Sequence, residues 1–355
     1  MVSSDAFQGG VTADILEQEF AWQGNTLGIT DESFPPFEPL AVEDDTVAVV
    51  LRRYRLGGLG LPDQIEARDQ NEGSVYKPLL AAPVSLMVNA TDRLSGVGGF
   101  ASTTDAEAVY EGRASHPAVR VDSRVVTEFD GCIKVDLTLH PGETGDTLSS
   151  LTLDIPLRND MAPLYHVVKG TPPIRNNPAG YLPKGEGRIW ASTNMRDGHW
   201  PGNFKPYIWL GGAARGLAWF ADNDKGWVVD WNELPPAHTI HREGDTLTLR
   251  VHLVQKPVVI DAPRTLTFGL MASPAKPMPE GWRAIGRPEA PRISFKMGHL
   301  FGLNGIYAAK YPRGKDFSPF EKFLAARRGE RVDVNAFMEQ WTARHLHDAM
   351  EESLR

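Results

Sequence analysis

The run Arg196-Asp197-Gly198-His199-Trp200-Pro201-Gly202-Asn203 gathers the side chains best suited to hold a small polar ligand. An indole face such as that of Trp200 stacks on the C–H side of a pyranose, and short polar groups such as Asp197 and Asn203 bond its hydroxyls. The run shows no alternation and is rich in turn formers, so it is expected to be a loop at a sheet edge, where ligand contacts concentrate. Asp197, His199, Trp200 and Asn203 are therefore the candidate carbohydrate-binding residues. If the chain were a complete small enzyme acting on sugars, His199 and Asp197 would be its acid and base. A glycosidase instead needs two carboxylates held ~5–10 Å apart, which adjacency in sequence does not establish. Asp31-Glu32 and Glu43-Asp44-Asp45 read as solvated turns, and no catalytic residue is assigned.

The loop belongs to the stretch Trp190–Trp231, which holds Trp190, Trp200, Trp209, Trp219, Trp227 and Trp231, six of the nine tryptophans. Turn clusters at 211–216 and 222–226 divide it into strand, turn, strand, turn, strand, an expected antiparallel meander. Alternation puts Tyr207 and Trp209 on one face and Ile208 and Leu210 on the other, so both faces are expected to be covered. Tryptophans at this density either pack a core or meet a ligand.

Other chemistry is less well supported. His238 and His241 stand three apart in an expected strand and point to opposite faces, while His345 and His347, two apart on an expected helix, lie ~200° apart around its axis. Neither pair forms a chelate, and no metal site is expected. Asp222-Asn223-Asp224-Lys225-Gly226 resembles the start of a calcium loop, but its glycine comes one position early, and a plain turn is expected. The segment Leu56-Gly57-Gly58-Leu59-Gly60-Leu61-Pro62 lacks the Lys-Ser/Thr and the helix that a phosphate loop requires. No Gly-x-Ser-x-Gly elbow is present. The single cysteine, Cys132, excludes an intrachain disulfide and reads as a small buried hydrophobe. No cofactor is expected.

With 355 residues, 34 glycines and 27 prolines, the chain can bury a large, turn-rich β core. A net charge of -8 spread without a basic block argues against nucleic acid as a partner. The longest apolar run, Leu79–Val88, contains Pro83 and Ser85, so no membrane span is expected; nor is a secretory signal.

An opening hairpin is expected over Ile15–Thr30, an extended connector at Phe34-Pro35-Pro36-Phe37-Glu38-Pro39, and strands at Thr46–Tyr54, Leu79–Asn89, Gly99–Ser102 and Glu107–Ala114. Val119–Phe129 and Cys132–Leu139 flank Asp130-Gly131, a two-residue hairpin signal, with Leu148–Leu157 expected as the partner strand. Thr239–His241, Thr246–Gln255 and Arg264–Met271 follow. Prolines between Ala275 and Pro291 mark a linker. Beyond it, Ser318-Pro319-Phe320-Glu321 forms a capping box, and a helix from about Asp333 carries Val334, Phe337, Met338 and Trp341 on one stripe.

Several runs together resemble the glycoside-hydrolase-like family related to glycoside hydrolase family 123. They are Phe20-Ala21-Trp22-Gln23-Gly24-Asn25-Thr26-Leu27-Gly28, Phe34-Pro35-Pro36-Phe37, Gly60-Leu61-Pro62-Asp63-Gln64-Ile65 and Leu153-Asp154-Ile155-Pro156-Leu157. Trp209-Leu210-Gly211, Arg215-Gly216-Leu217-Ala218-Trp219-Phe220, Gly226-Trp227 and Leu270-Met271-Ala272-Ser273-Pro274-Ala275-Lys276-Pro277 add to them. The resemblance implies a large β-sandwich followed by a (β/α) barrel with an acidic pair at its mouth, in enzymes similar to retaining N-acetylgalactosaminidases in which the substrate's acetamido group attacks. Residues 292–355 fall far short of the ~250 residues of a barrel, and no adjacent Asp-Glu pair follows Pro291, so no catalytic residue carries over. The expectation is a mainly β chain. An antiparallel, supersandwich-like β-sandwich of one or two lobes spans 14–275 and a proline-rich linker spans 276–291. A short α/β segment over 292–355, with its strand at Ile293–Met297 or Gly305–Ala309, resembles the start of a barrel. Functionally, the resemblance implies the β-sandwich portion of a glycoside-hydrolase-like, carbohydrate-active protein that supports a sugar-processing barrel and contributes loop residues to a carbohydrate ligand. The alternatives are a stand-alone carbohydrate-binding module or a small sugar lyase or epimerase.

Overall fold

The computed structural model describes Thr26 and residues 32–69, 73, 75–168, 177–194 and 203–279. The expected opening hairpin over Ile15–Thr30, Thr26 apart, the run 195–202, and the expected helices and barrel strand after Pro279 lie outside the described residues. The chain divides into two units, Met1–Met278 and Pro279–Arg355.

Among the described residues the first unit is built almost wholly of strands. The first five, β1 (Ala41–Glu43), β2 (Thr46–Val49), β3 (Arg52–Leu56), β4 (Pro62–Ala67) and β5 (Lys77–Pro78), make a sheet in sequence order. Next come β6 (Ser85–Val88), β7 (Asp92–Arg93), β8 (Gly96–Thr103), β9 (Glu107–His116), β10 (Val119–Glu128), β11 (Cys132–Pro141) and β12 (Leu151–Arg158). They are followed by β13 (Leu164–Val168), β14 (Ala179–Tyr181), β15 (Gly187–Ala191), β16 (Tyr207–Gly211) and β17 (Gly216–Phe220), then β18 (His238–Glu243), β19 (Thr246–Val254) and β20 (Arg264–Ser273). One sheet has nine strands in the order β14-β13-β16-β17-β20-β11-β10-β9-β8, the other six in the order β15-β18-β19-β12-β6-β7. Every pairing between these named strands is antiparallel.

Alternation explains why the two large sheets stack. In β19 the residues Leu247, Leu249, Val251 and Leu253 are buried while Thr246, Thr248, Arg250 and His252 face the other way; in β11 Ile133, Val135, Leu137 and Leu139 are fully buried. Each such side chain contributes ~1.5–3 kcal/mol on burial, and a strand with one apolar face gains it only by covering that face. The inner faces form one core, in which Trp219 of β17 meets His238 of β18 with ring centroids 4.7 Å apart. The expected antiparallel β-sandwich is thus present.

Several local expectations change. The β10–β11 hairpin pairs Thr127 with Ile133, so its connection is longer than two residues. Gly131 N–H donates to the Glu128 carbonyl at 2.7 Å and Gly131 has φ 76°, whereas Asp130 stays out of the left-handed region. That is an ordinary turn closed by a glycine bulge, locked by the Cys132 N–H donating to Asp130 Oδ1 at 2.8 Å. Strand β12 does not partner this hairpin: it crosses to the six-stranded sheet between β19 and β6, and β20 takes the place beside β11. The expected strand Leu79–Asn89 is broken, with β6 starting only at Ser85 after the bend around Pro83. The tryptophan-rich stretch is not a meander, because β15 lies in the six-stranded sheet, β16 and β17 pair in the nine-stranded one, and Trp227–Trp231 is not a strand.

Candidate functional site

Of the four residues expected to bind carbohydrate, Asn203 is described; Asp197, His199 and Trp200 lie outside the described residues. Asn203 sits at φ 56° and donates from Nδ2 to the Leu234 carbonyl at 2.8 Å. Its amide therefore ties the entry of β16 to the 230–234 turn, which is organised by the N–H groups of Asn232 and Glu233 donating to Asp230 Oδ1 at 3.1 and 3.4 Å. On that turn Trp231 is 55% exposed. Just after Asn203, Phe204 and Lys205 are buried, so this corner is rooted in the core.

Among the described residues the other tryptophans divide by face. Trp190, Trp219 and Trp227 are core, while Trp209 is half-buried on the outer side of the nine-stranded sheet. Its indole lies on β17 so closely that a Cβ at Gly216 would stand 2.6 Å from the ring, and Nε1 donates to Ser273 Oγ at 3.3 Å. Tyr207, on the same face, is also only half-buried.

His238 and His241 do point to opposite faces of β18. His238 is sealed among Trp219, Phe204 and Trp227, at centroid distances of 4.7, 5.8 and 5.9 Å. Burial, with the charges of His252 and Lys205, holds its pKa well below the ordinary range, so it is a neutral core residue.

His241 faces outward, into a group of polar side chains whose placement follows from strand register. Ser85 of β6 pairs with Asp154 of β12, Asp154 with Arg250 of β19, and Arg250 with Thr239 of β18. These four form one straight rank across the six-stranded sheet, spanning three strand gaps, ~14 Å. Arg250 donates from Nε and Nη2 to the two oxygens of Asp154 at 2.8 and 2.6 Å, and Thr152 Oγ1 donates to Asp154 Oδ1 at 3.0 Å. Asp154 is 9% and Thr239 2% exposed although both lie on the outward side.

Two imidazoles flank the rank through one hydroxyl: Thr239 Oγ1 lies 3.0 Å from His252 Nε2 and 3.1 Å from His241 Nε2. A hydroxyl has one proton, so it donates to one ring and accepts from the other, which puts neutral imidazoles in opposite tautomers. Burial, then the Arg250 charge, lowers His252 to about 4, and burial followed by Arg250 and Arg188 lowers His241. Both rings are uncharged at neutral pH.

Beside this rank, and sharing Ser85 with it, lies a cleft of about 270 Å³ between the 57–61 turn and β6–β8. Asp63, Arg93, Ser85 and Ser95 supply its polar side chains. The glycine-rich turn forms one wall: Gly57 N–H donates to the Leu61 carbonyl at 2.8 Å, and a Cβ on Gly58 would stand 2.0 Å from the Gly96 carbonyl oxygen. These glycines permit backbone to touch backbone, and β4 rather than a helix follows, as expected for a segment that is not a phosphate loop. Among the described residues no three His, Cys, Asp or Glu side chains stand close enough to hold a metal ion. Cys132 is half-buried rather than buried, and its thiol is pushed up to about 11 by burial and by Asp130 and Glu128, which leaves it a poor nucleophile. At 222–226 Asn223 Oδ1 accepts the Lys225 N–H at 2.9 Å in a turn ending at Gly226, φ 85°.

Sequence reasoning missed the rank. Its only local signal is the Thr246, Thr248, Arg250, His252 alternation of β19; the partners across the sheet follow from register alone.

No curated protein sequence matches the chain. Among solved structures, a putative aldose 1-epimerase from Escherichia coli K12 is 11% identical with a TM-score of 0.36, covering 66% of this chain and 98% of that one. The α-N-acetylgalactosaminidase NagBb from Bifidobacterium bifidum is 8% identical with a TM-score of 0.39, covering 75% of this chain and 39% of that one. The family model that matches is glycoside hydrolase 123, third domain, over residues 40–216. Those residues hold β1 to β16, with the 57–61 turn, Asp154 and Asn203 among them. The chain is accordingly one of the glycoside-hydrolase-like proteins related to glycoside hydrolase family 123.

Proposed function

We propose that this chain is the β-sandwich portion of a carbohydrate-active, glycoside-hydrolase-like protein. In this reading residues 292–355 begin a sugar-processing barrel that the sandwich supports, and the 196–203 run supplies sugar contacts. Trp200 stacks on a ring, Asp197 and Asn203 bond hydroxyls, and His199 is the fourth sugar-contacting residue. The single observation that carries the reading is the match of residues 40–216 to the glycoside hydrolase 123 third domain, which supports a carbohydrate-related role. The position of Asn203, tied to the turn that exposes Trp231, is consistent with a ligand-facing corner.

Calorimetric titration of the full chain with a glycan panel, together with an assay for released sugar, tests this. The expected result is glycan binding that Trp200→Ala weakens about tenfold or more, without turnover. Binding unaffected by Trp200→Ala and Asp197→Ala would remove the loop from the ligand site. Sugar released by the chain alone would show a complete enzyme instead.

A further inference from the structure

We propose that the cleft beside the 57–61 turn and the rank Ser85–Asp154–Arg250–Thr239 form one binding site for the end of a short, uncharged glycan chain. The terminal ring occupies the cleft, and the next rings lie across the six-stranded sheet. This rests on the carbohydrate-related reading above, but not on the 196–203 run.

Size fixes the occupant of the cleft. At about 270 Å³ it is smaller than the ~300–1,000 Å³ of pockets for drug-sized ligands, with room for one small molecule. Its polar groups are a carboxylate from Asp63, a guanidinium from Arg93 and the hydroxyls of Ser85 and Ser95. Acceptor and donor charges of opposite sign balance each other, which suits a neutral polyol better than an anion or a cation. The contact of Gly58 with the Gly96 backbone closes the seam between the turn and β8.

Ser85 lines the cleft and stands opposite Asp154, so it is the residue that joins the cleft to the rank. Strands ~4.8 Å apart advance by about one pyranose ring per strand. The groups along the rank are held but not exhausted. Arg250 uses Nε and Nη2 on Asp154, leaving Nη1, and His241 and His252 use Nε2 on Thr239, leaving Nδ1, with no partner among the described residues. The shared hydroxyl makes one free Nδ1 a donor and the other an acceptor, the complement of sugar hydroxyls, which both accept and donate.

The test uses the full chain and calorimetric titration with glucose, galactose and mannose, with their β-1,4-linked trisaccharides, and with tri-galacturonate. A neutral trisaccharide should bind more tightly than its monosaccharide. Asp63→Asn and Arg93→Ala should each weaken both about 10- to 100-fold, the loss of hydrogen bonds to a charged group. His241→Ala should weaken only the trisaccharide, and Trp200→Ala should leave the monosaccharide unchanged. Circular dichroism and thermal melting of each variant separate lost binding from lost folding, and Arg93→Lys, which keeps the charge, should recover part of the affinity. Wild-type affinity in both Asp63→Asn and Arg93→Ala overturns the proposal; if Trp200→Ala then abolishes binding, the loop reading survives alone. Tighter binding of tri-galacturonate than of any neutral trisaccharide overturns the uncharged ligand. No binding of any probe by the wild type overturns both readings.

Discussion

Arg52 Nη1 donates to the carbonyl of Ala272 at 3.3 Å, across 220 residues of chain, and ties β3 of the five-stranded sheet to the end of β20. The same fully buried guanidinium donates from Nε to the Val50 carbonyl at 3.2 Å and from Nη2 to the carbonyl of Ala275. Three carbonyls, all of backbone, thus hold a buried cation where the chain leaves the nine-stranded sheet. Arg52→Ala should lower the unfolding free energy by ~3 kcal/mol or more, because it leaves a cavity and strips partners from buried carbonyls. Arg52→Lys should rescue little, since an ammonium cannot fork between carbonyls. Urea denaturation of the two variants checks this.

Gly131 makes that latch possible. A Cβ there would stand 2.6 Å from Arg52 Nη1, at a φ of 76° that side chains rarely adopt. Gly131→Ala should therefore cost ~1–3 kcal/mol, read as a shift in urea midpoint without a change in slope. The effect should shrink in an Arg52→Ala background, where the clash is relieved, and a double-mutant cycle measures that coupling.

Acid should destabilise the sandwich before its carboxylates titrate fully. His252 is held down at about 4, against an ordinary value of 6.5, mainly by burial. A histidine with a depressed pKa binds protons more weakly when folded, so its neutral form contributes stability above pH 6.5 that is lost as the pH falls towards 4. The loss should amount to ~3 kcal/mol, added to that from His238, which is lowered in the same direction. Urea midpoints measured at pH 7, 5.5 and 4.5 should fall in order, and His252→Gln should make the decline shallower. An unchanged decline would show that His252 is not the group responsible.

Gly216→Ala should dislodge Trp209 from the outer face of the nine-stranded sheet. The added methyl would meet the indole at 2.6 Å, and the ring's bond to Ser273 Oγ would go with it. A red shift of the tryptophan emission with a loss of ~1–3 kcal/mol is the expected outcome. Emission identical to the wild type would mean that the backbone, not the ring, gives way.

What could be read in the sequence was what alternation and local turns encode. The apolar face of β19 and the hairpin strands β10 and β11 stand close to where Leu247–Leu253 and Ile133–Leu139 imply them. Alternation could also separate His238 from His241. It could not say that β12 crosses to the other sheet, because Leu151, Leu153 and Ile155 would fit either layer; neighbours are chosen by contacts distant in sequence. For the same reason the Ser85–Asp154–Arg250–Thr239 rank was invisible, its members lying up to 165 residues apart and meeting only through register. Asn203 was singled out for its side chain, and the bond that side chain makes to Leu234 depends on a turn whose position no local pattern gives.

The alternation of strands between the layers bears on where this polypeptide can be divided. A fragment ending at residue 216, where the family match stops, would lose β18, β19 and β20 and nearly all of β17. None of these is an edge strand: β20, for example, wedges between β17 and β11, and β19 between β18 and β12. Such a truncation would open raw hydrogen-bonding margins through the middle of both layers, a recipe for precipitation rather than a smaller module. The smallest piece worth producing therefore reaches past Ala275, far enough to carry the carbonyls that Arg52 grips.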